Sequence, residues 1–189
     1  MNISNQLTFL RILLAFVCIG FILRNSVASL AIAFFIFIIA SITDFLDGYL
    51  ARKKNLISDL GKLIDPIADK ILIIGIFLAF LQLKVIVNAW MVSAIMLREF
   101  IVTGMRLYSL NKGVVIEAKA LGKHKTVSQV VGVVVIFITL ILTKIMPANN
   151  IVLFLYARII PFMMWYIVGI TLFSGVHFFW VNRQQIKTF

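Results

Sequence analysis

The sequence predicts an all-α integral membrane protein with six transmembrane helices. Its composition is 62% hydrophobic, with a mean hydropathy of +1.09, whereas a soluble domain is typically ~45–50% apolar. A helix needs ~20 apolar residues to cross ~30 Å of hydrocarbon, and six segments of about that length or longer are present. The six predicted spans are residues 7–23, 27–50, 60–81, 85–107, 127–145 and 151–181.

The basic residues predict how these spans are oriented. The chain carries 18 Lys and Arg against seven Asp and Glu, a net charge of +11. Eight of the basic residues fall in two regions, after the second and the fourth span: Arg52, Lys53, Lys54 and Lys62, then Lys112, Lys119, Lys123 and Lys125. Because cytoplasmic loops collect Lys and Arg, these regions and both termini are predicted to face the cytoplasm. No nucleic acid partner is expected, since the basic residues are scattered between spans.

Four aspartates lie within or at the ends of the apolar spans, where a carboxylate is costly and is therefore a functional candidate. Asp44 and Asp47 end the second span, and Asp65 and Asp69 lie inside the third. Separations of three and four residues place each pair on one face of its helix. The short connection makes the two helices antiparallel neighbours, so the two pairs can converge.

Four convergent carboxylates predict a metal centre. They repel one another, and some would take up protons unless a cation came between them. Oxygen ligands favour Mg²⁺ or Mn²⁺ over a metal that prefers thiolates. Four ligands from two helices can hold two ions side by side, which clamps the attacking and leaving oxygens in a displacement at phosphorus.

The residues beside the first aspartate pair suit a phosphate ligand. Gly48 and Ala51 are small and leave room for a ligand or a neighbouring backbone, although taken alone they would rather indicate helix packing. Arg52 lies one turn beyond Gly48 on its face. A planar guanidinium binds phosphate in a bidentate manner.

Eight residues at fixed spacing now form one motif: Asp44, Asp47, Gly48, Ala51, Arg52, Gly61, Asp65 and Asp69. With this motif the chain resembles the CDP-alcohol phosphotransferase family. The resemblance implies six transmembrane helices, a homodimer, two metal ions held by the four aspartates, and a CDP-linked donor. It also implies that Asp69 acts as the general base, and that residues 1–189 form a single transmembrane catalytic domain.

The N-terminal stretch 5–11 resembles that of the bacterial phosphatidylglycerophosphate synthases and their relatives, which use CDP-diacylglycerol. The resemblance implies that Asn5 and Thr8 lie near the donor pyrophosphate, with an interfacial cap as the alternative for Asn5. Ser58 stands where the family often has a Ser or Thr that contacts the donor, and a helix cap is the alternative there. The predicted donor-binding residues are Asn5, Thr8, Gly48, Ala51, Arg52, Ser58 and Gly61.

Segments 63–70, 98–106 and 122–126 resemble the phosphatidylglycerophosphate synthase subgroup, whose acceptor is sn-glycerol 3-phosphate. This acceptor carries about two negative charges, which several Lys and Arg can bind. Arg98 and Arg106 lie within an apolar span, and Lys123 and Lys125 open the next. These four are the predicted acceptor phosphate-binding residues, with ordinary positive-inside charge as the alternative. Glu99 is expected to hold one of the arginines in place.

The resemblance therefore implies transfer of a phosphatidyl group from CDP-diacylglycerol to sn-glycerol 3-phosphate, giving phosphatidylglycerophosphate and CMP in phospholipid biosynthesis. The site would face the cytoplasm from the inner membrane of a bacterial cell. One alternative is the same chemistry with serine, inositol phosphate or phosphatidylglycerol as acceptor. The other is a divalent-cation transporter with the aspartates as its ion path, which leaves Gly48, Ala51 and Arg52 unexplained.

Overall fold

The computed structural model describes the backbone of residues 3–54, 59–85, 87–111 and 120–187. It describes the side chains of residues 6–43, 67–68, 70–85, 87–109 and 121–183. Over these residues the chain is helical apart from short connections, and none of them belongs to a strand. The predicted all-α fold class is therefore confirmed.

The helices form six rods, each of which coincides with one predicted span. A π-helical turn, Leu155–Ile159, joins the last two helices without a break, so that together they make the sixth rod. The bounds are α1 Ile3–Arg24, α2 Val27–Lys54, α3 Asp59–Gln82, α4 Ala89–Asn111, α5 Ala120–Ile145, α6 Asn150–Phe154 and α7 Ile160–Lys187.

The apolar character of the rods identifies a multi-pass membrane protein. Three described stretches are long and apolar enough to cross a membrane, namely Gln6–Arg24, Leu121–Ile145 and Asn150–Val181. Shorter apolar stretches occur in α2 and α3, whose remaining turns carry the aspartates. Large apolar side chains such as Phe16 and Phe35 are 62% and 65% exposed, as expected where lipid surrounds the bundle. The count of six membrane spans stays a prediction.

The core lies where α2, α3 and α5 meet. Phe37 of α2, Phe80 of α3 and Phe137 of α5 are fully buried. The ring of Phe80 meets that of Phe137 edge-on, with the centroids 5.1 Å apart. Lipid tails are as apolar as these side chains, so removal from water does not drive the helices together in a membrane. Such contacts stabilise the bundle through close packing instead.

Small residues let α1 approach α2 and α3 closely, as is common in membrane bundles. The Sγ–H of Cys18 donates a hydrogen bond to the carbonyl of Ala33, with Sγ and O 3.3 Å apart. A Cβ on Gly75 of α3 would lie 2.7 Å from Cδ1 of Ile19, so a side chain there would require Ile19 to move. This packing holds the start of α1 at the same end of the bundle as the aspartate-bearing turns.

Because successive rods run in opposite directions, further segments lie at the same end of the bundle as the aspartates. The end of α4, the start of α5 and the end of α7 lie there, and α7 packs against both α4 and α5. The segments that carry most of the sequence-predicted functional residues therefore share one end of the bundle.

Candidate active site

The two aspartate pairs lie on consecutive helices, in the turns nearest the connection between them. Asp44 and Asp47 belong to the last part of α2, and Asp65 and Asp69 to the first half of α3. Their side chains lie outside the described residues, as do the surroundings of the predicted donor-binding residues Asn5, Gly48, Ala51, Arg52 and Gly61 and the whole of Ser58. The geometry of the predicted metal centre therefore stays a prediction. The described side chains alone contain no group of three or more His, Cys, Asp or Glu that could hold a metal ion.

Thr8 is the one predicted donor-binding residue whose side chain is described. It is fully buried in α1, and Arg11, three residues further along, is 1% exposed. Residues three apart share a helix face, so a hydroxyl and a guanidinium lie side by side within the bundle at the aspartate end. A buried guanidinium is costly in an apolar span unless its charge is used, which makes Arg11 a further functional candidate.

A small, partly enclosed cavity lies between α4, α5 and α7 at the same end. Two of the predicted acceptor-binding residues, Arg98 and Arg106, line its α4 side. The other lining residues are Leu121 and Gly122 of α5, and Ser174, His177, Phe178, Val181 and Asn182 of α7. The lining is therefore basic on one side and carries hydroxyl, imidazole and amide groups on the other.

Each of the two arginines that line the cavity also contacts a residue of α7. The Nη2 of Arg98 donates to the Oγ of Ser174 at 3.0 Å. The guanidinium of Arg106 lies over the ring of Phe178, with Cζ 5.5 Å from the centroid, a cation–π geometry. The Nε–H groups of both arginines are buried and have no hydrogen-bond partner among the described residues. A buried donor without a partner costs free energy, and a bound anion would satisfy it.

Behind the cavity, Glu99 is the centre of a buried charge cluster. Its carboxylate forms ion pairs with Lys70 of α3, with the neighbouring Arg98 and with Lys125 of α5. The Nε2 of Gln129 donates to Glu99 Oε1 and to Thr171 Oγ1, both at 3.4 Å. Four helices, α3, α4, α5 and α7, are thereby joined through polar groups in an otherwise apolar interior.

The described side chains around the cavity carry more positive than negative charge. Glu99 is the one carboxylate among them; it pairs with Lys70, Arg98 and Lys125, while Arg106 lines the cavity beside Arg98. The side chains of Arg98 and Lys125 are 8% and 6% exposed. Buried cations in excess are costly unless an anion accompanies them. The arrangement is therefore suited to an anionic ligand such as a phosphate monoester.

The structure separates the four predicted acceptor residues. Arg98 and Arg106 line the cavity, whereas Lys125 is paired with Glu99 and is not among the lining residues. Lys123 is exposed and is not among the lining residues either. Of the four, only the two arginines therefore reach the cavity, and the role of all four in binding an acceptor stays a prediction.

The first 173 residues match the family model described as CDP-alcohol phosphatidyltransferase. The chain belongs to this family. Members of the CDP-alcohol phosphatidyltransferase family generally use divalent metal ions, which agrees with the donor set that the aspartate motif would supply. Carboxylate oxygens are the ligands that Mg²⁺ and Mn²⁺ prefer.

Several bacterial members of the CDP-alcohol phosphatidyltransferase family are similar to this chain over most of its length. A Bacillus subtilis protein is 40% identical over 153 residues, 81% of this chain and 74% of the relative. One from Rickettsia bellii is 34% identical over 178 residues, 94% of this chain and 93% of the relative. One from Mycoplasma genitalium is 41% identical over 150 residues, 70% of this chain and 63% of the relative. Each is named CDP-diacylglycerol–glycerol-3-phosphate 3-phosphatidyltransferase.

Sequence reasoning missed what α7 contributes to this CDP-alcohol phosphatidyltransferase. Ser174, His177 and Asn182 line the cavity, and Thr171 belongs to the Glu99 cluster. A signal was present, because these residues recur every three to five positions and so mark one side of an otherwise apolar helix. These residues of α7 could be assigned to a site only once the helices that pack against this side of α7 were known.

Proposed function

We propose that this chain transfers the phosphatidyl group of CDP-diacylglycerol to sn-glycerol 3-phosphate, giving phosphatidylglycerophosphate and CMP. The observation that carries the proposal is the cavity between α4, α5 and α7, which is lined by Arg98 and Arg106. Each of these arginines has a buried Nε–H without a hydrogen-bond partner among the described residues. The names of the bacterial relatives point to the same acceptor. A serine acceptor is zwitterionic and would leave the excess positive charge uncompensated.

In the proposed site, two divalent ions, Mg²⁺ or Mn²⁺, are held by Asp44, Asp47, Asp65 and Asp69. When bound, they neutralise the donor pyrophosphate and stabilise the charge that develops as CMP leaves. Gly48, Ala51, Arg52, Gly61, Ser58, Asn5 and Thr8 supply the surroundings of the donor. The small residues provide space, and the Arg52 guanidinium suits a phosphate oxygen.

The chemical step is a displacement at the β-phosphorus of the donor. The primary hydroxyl oxygen of the acceptor forms the new P–O bond, and the bond between that phosphorus and the oxygen of CMP breaks. Asp69 accepts the hydroxyl proton, and CMP departs with the bonding electron pair. Because CMP is a good leaving group, the protein contributes mainly positioning and electrostatic stabilisation.

The acceptor phosphate is proposed to bind in the basic cavity, remote from the reacting hydroxyl. Arg98 and Arg106 would donate charge-assisted hydrogen bonds to its oxygens. Lys125 and Lys123 add positive charge from the start of α5, the former through the Glu99 cluster. Ser174, His177 and Asn182 complete the wall of the cavity on α7.

The same proposal covers the cellular setting. The protein would lie in the inner membrane of a bacterial cell as a homodimer, with the active site and both termini in the cytoplasm. The basic regions around Lys53 and Lys123, at the aspartate end, support this orientation through the positive-inside rule.

Purified protein in lipid nanodiscs tests the proposal. It is incubated with CDP-diacylglycerol, Mg²⁺ and one acceptor at a time: sn-glycerol 3-phosphate, serine, inositol phosphate, phosphatidylglycerol or none. CMP release and the lipid product are both measured. We expect rapid CMP release and formation of phosphatidylglycerophosphate when sn-glycerol 3-phosphate is the acceptor, and neither with the other acceptors. Faster turnover with another acceptor would overturn the choice of substrate. Ion flux without CMP release would support the transporter instead.

A further inference from the structure

Glu99 divides its two carboxylate oxygens between different helices. Oε1 forms ion pairs with the ammonium of Lys125 and with Nη1 of Arg98, the latter at 3.5 Å. It also accepts a hydrogen bond from Nε2 of Gln129 at 3.4 Å. Oε2 faces the ammonium of Lys70 at 3.4 Å. One side chain thus joins α3, next to the last aspartate of the motif, to α4 and α5, two of the three helices that line the cavity.

This carboxylate is almost fully enclosed. Its side chain is 6% exposed, equal to that of Lys125. In such surroundings charge–charge interactions are stronger than in water, and losing one partner leaves the other charge uncompensated. The positions of the partner cations are therefore tied to the position of the carboxylate.

Arg98 connects Glu99 to the cavity, because Glu99 holds its guanidinium and Arg98 lines the cavity. Its guanidinium is fixed at two points, Nη1 by Glu99 and Nη2 by Ser174. Its buried Nε–H has no partner among the described residues, and Arg98 lines the cavity. Glu99 itself is not among the lining residues, and Arg98 is the one of its ion-pair partners that is.

We propose that Glu99 is a positioning residue for the acceptor: it fixes the Arg98 guanidinium at the wall of the cavity, where the acceptor phosphate binds. The inference rests on the proposed function, because it assumes that the acceptor phosphate occupies this cavity. Without Glu99, Arg98 loses one of its two anchors, and the ammonium of Lys125 loses this carboxylate as its ion-pair partner.

The first test compares Glu99→Gln with the wild type in nanodiscs. Steady-state kinetics give the acceptor KM, the donor KM and kcat, and thermal unfolding reports folding. Acceptor KM is expected to rise roughly ten- to hundredfold, the range for losing one charge-assisted hydrogen bond, with an unchanged donor KM. A purely structural residue would lower the unfolding temperature and leave the acceptor KM of the folded fraction unchanged, which would overturn the proposal.

Two further variants sharpen the comparison. Glu99→Asp keeps the charge but withdraws it by one methylene, so it should fold and still raise the acceptor KM. A wild-type acceptor KM in Glu99→Asp would overturn the proposal even if Glu99→Gln did not fold. Gln129→Met removes a neutral neighbour of the same carboxylate and is the matched control, expected to change the acceptor KM far less.

A double variant separates positioning from simple charge neutralisation. Glu99→Gln combined with Lys125→Met restores the balance of the closest pair but leaves Arg98 without its anchor. The acceptor KM should stay high, and its return to the wild-type value would show that Glu99 is only a counter-ion.

The two proposals fail in different ways. No CMP release from the wild type with sn-glycerol 3-phosphate defeats the proposed function, whereas normal wild-type turnover with unaltered Glu99 variants defeats the positioning role alone.

Discussion

The side chain of Arg98 on α4 lies directly against the α-carbon of Gly175 on α7. A Cβ added to Gly175 would stand 3.0 Å from Cγ and 3.5 Å from Nε of Arg98. The first distance is tighter than most Cβ contacts, so the arginine would have to give way by a few tenths of an ångström. The same arginine is bound to Ser174, the residue before Gly175. The absence of a side chain at position 175 therefore leaves the space that the stem of Arg98 occupies.

Gly175→Ala is accordingly expected to raise the acceptor KM. The added methyl group shifts the stem of Arg98 by a few tenths of an ångström and disturbs the guanidinium that Ser174 holds. Because a misplacement of about 1 Å can cost up to roughly a hundredfold in rate, this smaller shift is expected to raise the acceptor KM by less than that. Gly169→Ala is the matched control, because this glycine lies on the same helix and a Cβ there meets nothing within 4 Å. Equal kinetics for the two variants would show that the Arg98 contact does not matter for the acceptor.

The four-aspartate metal centre predicts a severe loss of turnover on removal of single carboxylates. Asp44→Asn, Asp47→Asn and Asp65→Asn should each nearly abolish CMP release, because each removes a charged ligand from a site that needs four. Chelation of divalent ions should do the same to the wild type. Asp59→Asn, outside the motif, is the control and should remain active. A folded motif variant that keeps most of its activity would contradict the two-metal site.

The proposed role of Asp69 as general base predicts that its replacement affects kcat and donor binding to different extents. If this carboxylate is both ligand and base, Asp69→Asn should reduce kcat more than it weakens CDP-diacylglycerol binding. Donor affinity and turnover are measured on the same nanodisc preparation. Weakened donor binding with an unchanged rate at saturation would contradict the base role, because only the ligand role would then have been lost.

The acceptor assignment predicts which cations matter. Arg106→Ala should raise the acceptor KM by about ten- to hundredfold, corresponding to ~1.5–3 kcal/mol for one charge-assisted contact, and leave the donor KM unchanged. Lys123→Ala tests the prediction that this exposed residue also binds the phosphate. Lys144→Ala, an exposed lysine at the opposite end of α5, is its control. Should Arg106→Ala behave like Lys144→Ala, the acceptor site lies elsewhere.

The sequence alone was informative where a residue is chemically out of place. Carboxylates and guanidiniums in apolar spans stand out, and so Asp44, Arg98 and Arg106 could be singled out without a fold. Helix number followed from apolar length, and the six rods agree with it. Both inferences depend only on local composition and on the cost of charge in lipid.

Pairwise relationships between distant helices could not be read in this way. The sequence grouped Lys125 with Arg106 as one basic cluster, but the fold turns Lys125 toward Glu99 and leaves Arg106 over Phe178. It also placed no function on Ser174 or His177, because the side of α7 that meets α4 and α5 depends on the packing of all three helices. Small residues such as Gly175 acquire meaning only when their neighbour is known.

Acceptor selectivity tests the central claim most directly. The measurement is kcat/KM for CMP release with sn-glycerol 3-phosphate and with glycerol, in the wild type and in Arg106→Ala. Glycerol lacks the phosphate, so it should be a very poor acceptor for the wild type, and Arg106→Ala should hardly worsen it. The selectivity for sn-glycerol 3-phosphate should fall about ten- to hundredfold in Arg106→Ala. A wild type that uses glycerol equally well, or a selectivity that Arg106→Ala leaves unchanged, would contradict phosphate recognition in the cavity between α4, α5 and α7.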